Sequence, residues 1–139
     1  MIAYLDASVL LRLVLRQPNA LREWGQIDRG VSSSLVATES LRTLDRLRLR
    51  AQLSDSELAL RRHAVLALVG SLELVEIDNA VLDRAAQPMP TEMGTLDAIH
   101  LATALLWHEN TGEELAMATH DRTLGLGAQA HGMRVLGIS

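Results

Sequence analysis

Short apolar runs alternate along the chain with longer segments in which apolar residues recur at helical spacing. An apolar run of about four to eight residues is typical of a strand buried in a sheet, whereas a period near 3.6 residues is typical of an amphipathic helix. The predicted strands are residues 2–5, 31–33, 72–77, 115–118 and 134–138. The predicted helices are residues 9–15, 19–28, 35–53, 54–69, a short one begun at Asp78 or Asn79, 96–107 and 121–130. This alternation predicts a three-layer α/β/α sandwich around a mostly parallel five-stranded sheet.

Several predicted helices carry start or stop signals. Ser54 and Glu57 have the spacing of a capping box, in which the serine hydroxyl accepts an amide hydrogen while the glutamate reaches back. Pro18 ends the first helix, and Gly30 is expected to end the helix over residues 19–28. These signals support the boundaries drawn from the apolar pattern.

The composition is typical of a globular protein. Of the 139 residues, 48% are hydrophobic and 22% are charged, which predicts one domain over residues 1–139 with a sizeable core. The chain has no cysteine, so a disulfide framework and a thiolate metal site are excluded. No basic segment precedes the first apolar residues, and no apolar run is long enough to cross a bilayer. We therefore expect a cytoplasmic protein without membrane contact.

All 13 basic residues are arginines, and the formal net charge is -4. This charge argues against nonspecific binding of polyanions by the whole surface. Planar arginine side chains suit phosphate contacts, and the absence of lysine excludes a lysine-based mechanism. Arg42, Arg46 and Arg50 recur every four residues and would line one face of the helix over residues 35–53. Three interpretations are open. These arginines bind the phosphates of a substrate as a phosphate track, form a solvated helix face, or bind the carboxylates of a protein partner.

Four acids, Asp6, Glu39, Asp97 and Asp121, lie where a strand gives way to a helix or near the start of a helix. In open parallel sheets, ligand sites form beyond the carboxyl ends of the strands, so these acids are expected to meet at one edge. Any one of them alone could simply cap a helix or compensate its dipole. Gathered carboxylates raise one another's pKa unless a cation neutralises them, and a hard divalent ion suits oxygen ligands.

The segments that carry these acids resemble a PIN domain. They are residues 4–10 (YLDASVL), 34–41 (SLVATESL), 96–104 (LDAIHLATA) and 119–124 (THDRTL). Their order and spacing cover nearly the whole chain, and its compact size is similar to that of the VapC toxins of toxin-antitoxin pairs. The resemblance implies an endoribonuclease that depends on Mg²⁺ or Mn²⁺, is commonly a homodimer, acts on RNA and is held inactive by a cognate antitoxin.

The resemblance also implies roles for the four acids. Asp6 and Asp97 match the acids that hold the metal most directly. Glu39 and Asp121 match the acids that bind a second ion or orient water. Together they would form the catalytic set of the enzyme.

Four other side chains lie near the acids in sequence. Ser8 and Thr119 match small hydroxyl positions beside the acids of the family, although Ser8 could equally cap the helix that follows the first acid. His100 lies three residues after Asp97, on the same helix face. It could orient Asp97, act as a base, or be a buried and hydrogen-bonded packing residue. His120 is expected to be exposed.

Hydrolysis of RNA competes with three other functions. A signalling receiver domain would need a lysine late in the chain, and there is none. A phosphatase of the haloacid dehalogenase type would need an aspartate two residues after Asp6, where Ser8 stands. A non-catalytic PIN-like binding module, which acts by docking a partner, stays open because the acids could bind a metal for structural reasons alone.

Overall fold

Five strands and six α-helices form the part of the chain that the computed structural model describes, residues 1–138. The strands are β1 (Ile2–Leu5), β2 (Arg29–Ser33), β3 (Glu73–Val75), β4 (Ala116–Ala118) and β5 (Val135–Leu136). The helices are α1 (Ala7–Val14), α2 (Val36–Leu49), α3 (Asp55–Gly70), α4 (Asn79–Ala85), α5 (Thr95–Thr111) and α6 (Arg122–Ala130). Within residues 1–138, none of these helices has the length and apolar character to cross a membrane.

Side chains that alternate along β1 divide the core into two layers. Ala3 and Leu5 pack with buried residues of α1, α2 and α3 on one face of the sheet. Tyr4 packs with α5 and α6 on the other face, and α4 covers α5 through Val81 and Ile99. The predicted three-layer sandwich is therefore confirmed.

The strand order is β3-β2-β1-β4-β5, and every pairing is parallel. The chain runs outward from β1 to β2 and β3 on one side, and continues with β4 and β5 on the other. The order thus reverses beside β1, and such a reversal is where open parallel sheets form their sites. Asp6 follows β1 and Thr119 follows β4, so both emerge at this edge.

One predicted helix is wrong, and one predicted helix stop has a different role. Over residues 19–28 only a single 3₁₀ turn forms, at Trp24–Gln26. Asn19 has φ +61°, in the left-handed region that a right-handed helix cannot contain. Gly30 lies inside β2, where a Cβ atom would be 2.6 Å from a methyl group of Leu72. It therefore permits close packing of the strand instead of ending a helix.

The predicted capping box is confirmed. The Glu57 amide donates to Ser54 Oγ at 3.1 Å, and the Ser54 amide donates to Glu57 Oε1 at 3.3 Å. Two amides that the first turn of α3 would leave unpaired are therefore satisfied by side chains.

Candidate active site

Two hydroxyl groups hold Asp6 at the end of β1. Its amide donates to the Ala118 carbonyl of β4 at 3.0 Å, and only 5% of the residue is exposed. Ser8 Oγ donates to Asp6 Oδ2 at 2.6 Å, and Thr119 Oγ1 donates to the same oxygen at 2.8 Å. Both hydroxyls bond to Oδ2, and no hydrogen bond within residues 1–138 goes to the other carboxylate oxygen.

The same hydroxyls tie the ends of β1 and β4 together. Ser8 Oγ accepts the His120 amide hydrogen at 3.0 Å, and Thr119 Oγ1 accepts the Asp121 amide hydrogen at 3.0 Å. The alternative prediction that Ser8 caps α1 is wrong, because the N-cap residue is Asp6 and Ser8 is the second residue of the helix. Both hydroxyls instead serve to fix the position of the Asp6 carboxylate.

Asp97 and Asp121 complete an acidic cluster with Asp6. Asp97 lies in the first turn of α5, and Asp121 is the N-cap residue of α6, where its Oδ1 accepts the Leu124 amide hydrogen at 3.0 Å. Burial, followed by the charges of Asp121 and Asp6, raises the pKa of Asp97 to about 6. A hydrogen bond to Asp121, which the protonated form of Asp97 can donate, raises this pKa further. Three of the four predicted acids thus sense one another's charge.

Glu39 is joined to this cluster through a buried histidine. It lies in the first turn of α2, and its Oε1 hydrogen-bonds to His100 Nε2. The other ring nitrogen, Nδ1, is 2.5 Å from the hydroxyl of Tyr4, and both Tyr4 and His100 are fully buried. Burial opposes a charge on His100, but the hydrogen bond and the charge of Glu39, with those of Asp6 and Asp97, raise its pKa above the ordinary value. The prediction of a buried, hydrogen-bonded His100 is confirmed, and its hydrogen bonds go to Glu39 and Tyr4.

The chemistry of the cluster suits a hard divalent cation. Within residues 1–138, no three acid or histidine side chains already converge closely enough to hold a metal between them. Mg²⁺, however, retains several waters and is usually held by only one or two protein carboxylates. Besides burial, repulsion by Asp121 and Asp6 raises the pKa of Asp97, and a bound cation relieves that repulsion. The donor set therefore fits such an ion.

The three arginines of the suggested phosphate track lie on an exposed face of α2 or just after it. Arg42 Nη1 donates to Asp45 at 2.9 Å, and Arg46 Nη2 donates to Thr43 Oγ1 at 3.0 Å. These local bonds are what a solvated helix face would show. A role for Arg42, Arg46 and Arg50 in substrate binding stays a prediction.

The sequence analysis did not single out Tyr4, and its prediction of an exposed His120 is wrong. Tyr4 could have been predicted as a site residue, since the period of two along a strand places it on the same face as Asp6. His120 is half-buried instead of exposed. Its Nδ1 donates to the Gly137 carbonyl at 2.9 Å, while its Nε2 is buried and has no partner among residues 1–138. No local pattern brings residues 120 and 137 together.

A parallel sheet of this order, with carboxylates beyond the ends of β1 and β4, defines a PIN-like α/β protein. The chain belongs to the PIN domain family, whose model matches residues 3–124. It is 36% identical over 137 residues to ribonuclease VapC46 of Mycobacterium tuberculosis. The aligned region covers 96% of this chain and 95% of that protein.

Two solved structures share the fold. A toxin-antitoxin complex from Klebsiella pneumoniae matches with a TM-score of 0.64 and 16% identity, over 99% of this chain and 95% of that chain. PAE2754 from Pyrobaculum aerophilum matches with a TM-score of 0.60 and 20% identity, over 96% of this chain and 89% of that chain.

Proposed function

We propose that this chain is an endoribonuclease, the toxin of a toxin-antitoxin pair, which hydrolyses RNA phosphodiester bonds with the help of Mg²⁺ or Mn²⁺. The observation that carries the proposal is the cluster of Asp6, Asp97 and Asp121 at the carboxyl edge of the sheet. Similarity along nearly the full length to a protein named as a ribonuclease supports RNA as the substrate.

Each acid has a role in this proposal. Asp6 and Asp97 bind the metal ion, while Glu39 and Asp121 bind a second ion or orient water. A divalent cation, when bound, lowers the pKa of a water and stabilises negative charge on the phosphoryl group. The two hydroxyls on Asp6 both bond to Oδ2, which leaves its Oδ1 without a hydrogen-bond partner among residues 1–138. The imidazole on Glu39 fixes that carboxylate in the same way.

The metal requirement gives a direct test. Purified protein is expected to cleave single-stranded RNA with Mg²⁺ or Mn²⁺, to lose cleavage in EDTA and to regain it when either ion is restored in excess. Gel electrophoresis of labelled RNA measures the result. Asp6→Asn is the matched variant and should stay at the level of the no-enzyme control after the ion is added. Cleavage that persists in EDTA would contradict the metal proposal, and RNA binding without turnover would favour the non-catalytic module.

We also propose two protein partners, a second copy of the chain and an antitoxin, for a toxin that acts in the cytoplasm. Leu49, Leu60 and Leu66 support this, since they are 66%, 68% and 51% exposed and present apolar surface that a partner can cover. Light scattering of the isolated chain should give twice its mass of 15.2 kDa. A single-chain mass at all concentrations would contradict the homodimer. A short reading frame that abuts this one and encodes a small DNA-binding protein would support the antitoxin.

A further inference from the structure

A polar cavity of about 440 Å³ lies between the end of α1, the segment that follows it and the carboxyl ends of β4 and β5. Its volume is within the range of about 300 to 1,000 Å³ that is typical of ligand pockets. The polar residues and the glycine of its wall are Arg12, Asn19, Arg22, Glu23, His120 and Gly137.

This cavity adjoins the acidic cluster. His120 is part of its wall, and the His120 amide donates to Ser8 Oγ, which in turn donates to Asp6. Arg12 is four residues after Ser8 on α1, so the two lie on the same face and about 6 Å apart along the helix axis. A polynucleotide strand with one phosphate at Asp6 can therefore continue past Arg12.

Among the residues that the structure describes, the arginines of the wall have no acidic partners. Within residues 1–138, Arg12 and Arg22 form no ion pair, whereas Arg29, Arg48 and Arg84 each pair with aspartate or glutamate. Arg12 donates one N–H to the Asn19 carbonyl at 3.2 Å, which leaves its other donors for a ligand. These two guanidinium groups are thus free to bind an anion.

The backbone around the cavity is held in uncommon conformations. Asn19 has φ +61° and Gly137 has φ +97°. A Cβ atom at Gly137 would lie 2.5 Å from the Thr119 carbonyl oxygen, so the wall requires glycine there. His120 Nε2 is a buried polar atom that has no partner in the described part of the chain. Non-glycine residues in the left-handed region, such as Asn19, and unpaired buried polar atoms are features that cluster at ligand sites.

We propose that this cavity binds the RNA phosphate next to the scissile one, with Arg12 and Arg22 as its ligands. The inference rests on the proposed ribonuclease function. Carboxylates at the reaction centre repel the RNA backbone, and an adjoining pair of arginines offsets that repulsion through charge-assisted hydrogen bonds. No phenylalanine, tyrosine or tryptophan lines the cavity, and the His120 ring is held by the Gly137 carbonyl. The contact is therefore with the backbone, which positions the strand and does not read its sequence.

Cleavage kinetics of Arg12→Gln, Arg22→Gln and the double variant test the cavity. Wild-type digestion of a random-sequence single-stranded RNA pool identifies a cleaved sequence, and a short oligonucleotide centred on it serves as substrate. We expect each variant to raise KM roughly five- to tenfold and to keep kcat within about twofold of the wild type. The slope of log KM against log salt concentration should fall by about 0.7 for each lost phosphate contact. Arg62→Gln, the same charge change on an exposed part of α3, should leave KM unchanged. Arg22 makes no hydrogen bond within residues 1–138, so its variant is informative even if Arg12→Gln loosens Asn19.

A neutral methylphosphonate beside the cleaved bond then tests which phosphate is bound. It should raise KM for the wild type and have no further effect in the double variant. Independent, additive effects would overturn the inference, as would an unchanged KM in Arg22→Gln and the double variant. Variants that cleave normally but lose a protein partner would also overturn it. If the wild type cleaves no RNA, the proposed function itself fails, which is a distinguishable result.

Discussion

Asp97→Asn is expected to remove RNA cleavage and, at the same time, to stabilise the metal-free protein at about pH 7.5. Burial and the charges of Asp121 and Asp6 raise the pKa of Asp97 from 3.8 to about 6. The ionised carboxylate is therefore unfavourable in the folded protein without a cation, although the proposed chemistry needs that form. An amide of similar size carries no charge and is a weaker ligand for a hard divalent ion.

The raised pKa of Asp97 determines the sign of the stability change. Between pH 3.8 and about 6, the folded protein binds more protons at this carboxyl group than the unfolded chain does. Stability therefore falls as pH rises through that window, and the full penalty is present above it. The raised pKa corresponds to about 3 kcal/mol, which partial exposure to solvent reduces to about 1 to 2 kcal/mol.

Urea denaturation in EDTA measures this effect on the free energy of unfolding. The free energy of unfolding of Asp97→Asn should exceed that of the wild type at about pH 7.5, and the difference should be smaller at about pH 4. Excess Mg²⁺ should stabilise the wild type, by about 2.7 kcal/mol at a hundredfold excess over Kd, and leave the variant unchanged. Asp83→Asn, an exposed position of α4, is the matched control and should change neither stability nor cleavage. A variant that cleaves RNA, or one that is less stable than the wild type at the higher pH, would contradict the prediction.

Most of the fold could be predicted because it depends on residues that are close in sequence. The predicted capping box at Ser54 is confirmed, and of the two residues suggested as the start of the short helix, Asp78 is the N-cap. Each acts on an amide three residues later, as does Asp121, for which a cap was one of the alternatives. The alternating pattern likewise predicted five strands, although the last is only two residues long. The prediction of a helix over residues 19–28 is wrong because it rested on local composition, which does not reveal the left-handed backbone of Asn19.

The hydrogen bonds of His100 could not be predicted, because each joins elements that are distant in the chain. A spacing of three residues on one helix suggested Asp97 as a partner for His100. The observed partners, Glu39 and Tyr4, are 61 and 96 residues away. Predicting that the acids lie at one edge requires only the order of strands and helices. Predicting which side chains pair with them requires knowledge of how α2, α5 and β1 pack together.

The buried imidazole of His100 is expected to have the second large effect on activity. The Tyr4 hydroxyl can donate to Nδ1 of the neutral ring or accept from the protonated ring, so Nε2 presents its hydrogen to Glu39 in both states. Burial also raises the pKa of Tyr4, so the hydroxyl keeps its proton. We expect His100→Ala to raise the Mg²⁺ concentration for half-maximal cleavage roughly 10- to 100-fold, because Glu39 loses the donor that orients it. Unchanged metal dependence would contradict this role.

Tyr4→Phe separates the orientation of Glu39 from the packing of the core, because it keeps the ring and removes only the hydroxyl. Without that hydroxyl, His100 can place its hydrogen on Nδ1 and turn a lone pair toward Glu39, so metal dependence should weaken in the same direction by about tenfold. Thr111→Val removes a 2.8 Å hydrogen bond to the Trp107 carbonyl at the far end of α5, and it should leave metal dependence unchanged. In a Glu39→Gln background, Tyr4→Phe should have no further effect on metal dependence, because it acts through Glu39. Full additivity of the two substitutions would instead mean that Tyr4 contributes only to the stability of the fold.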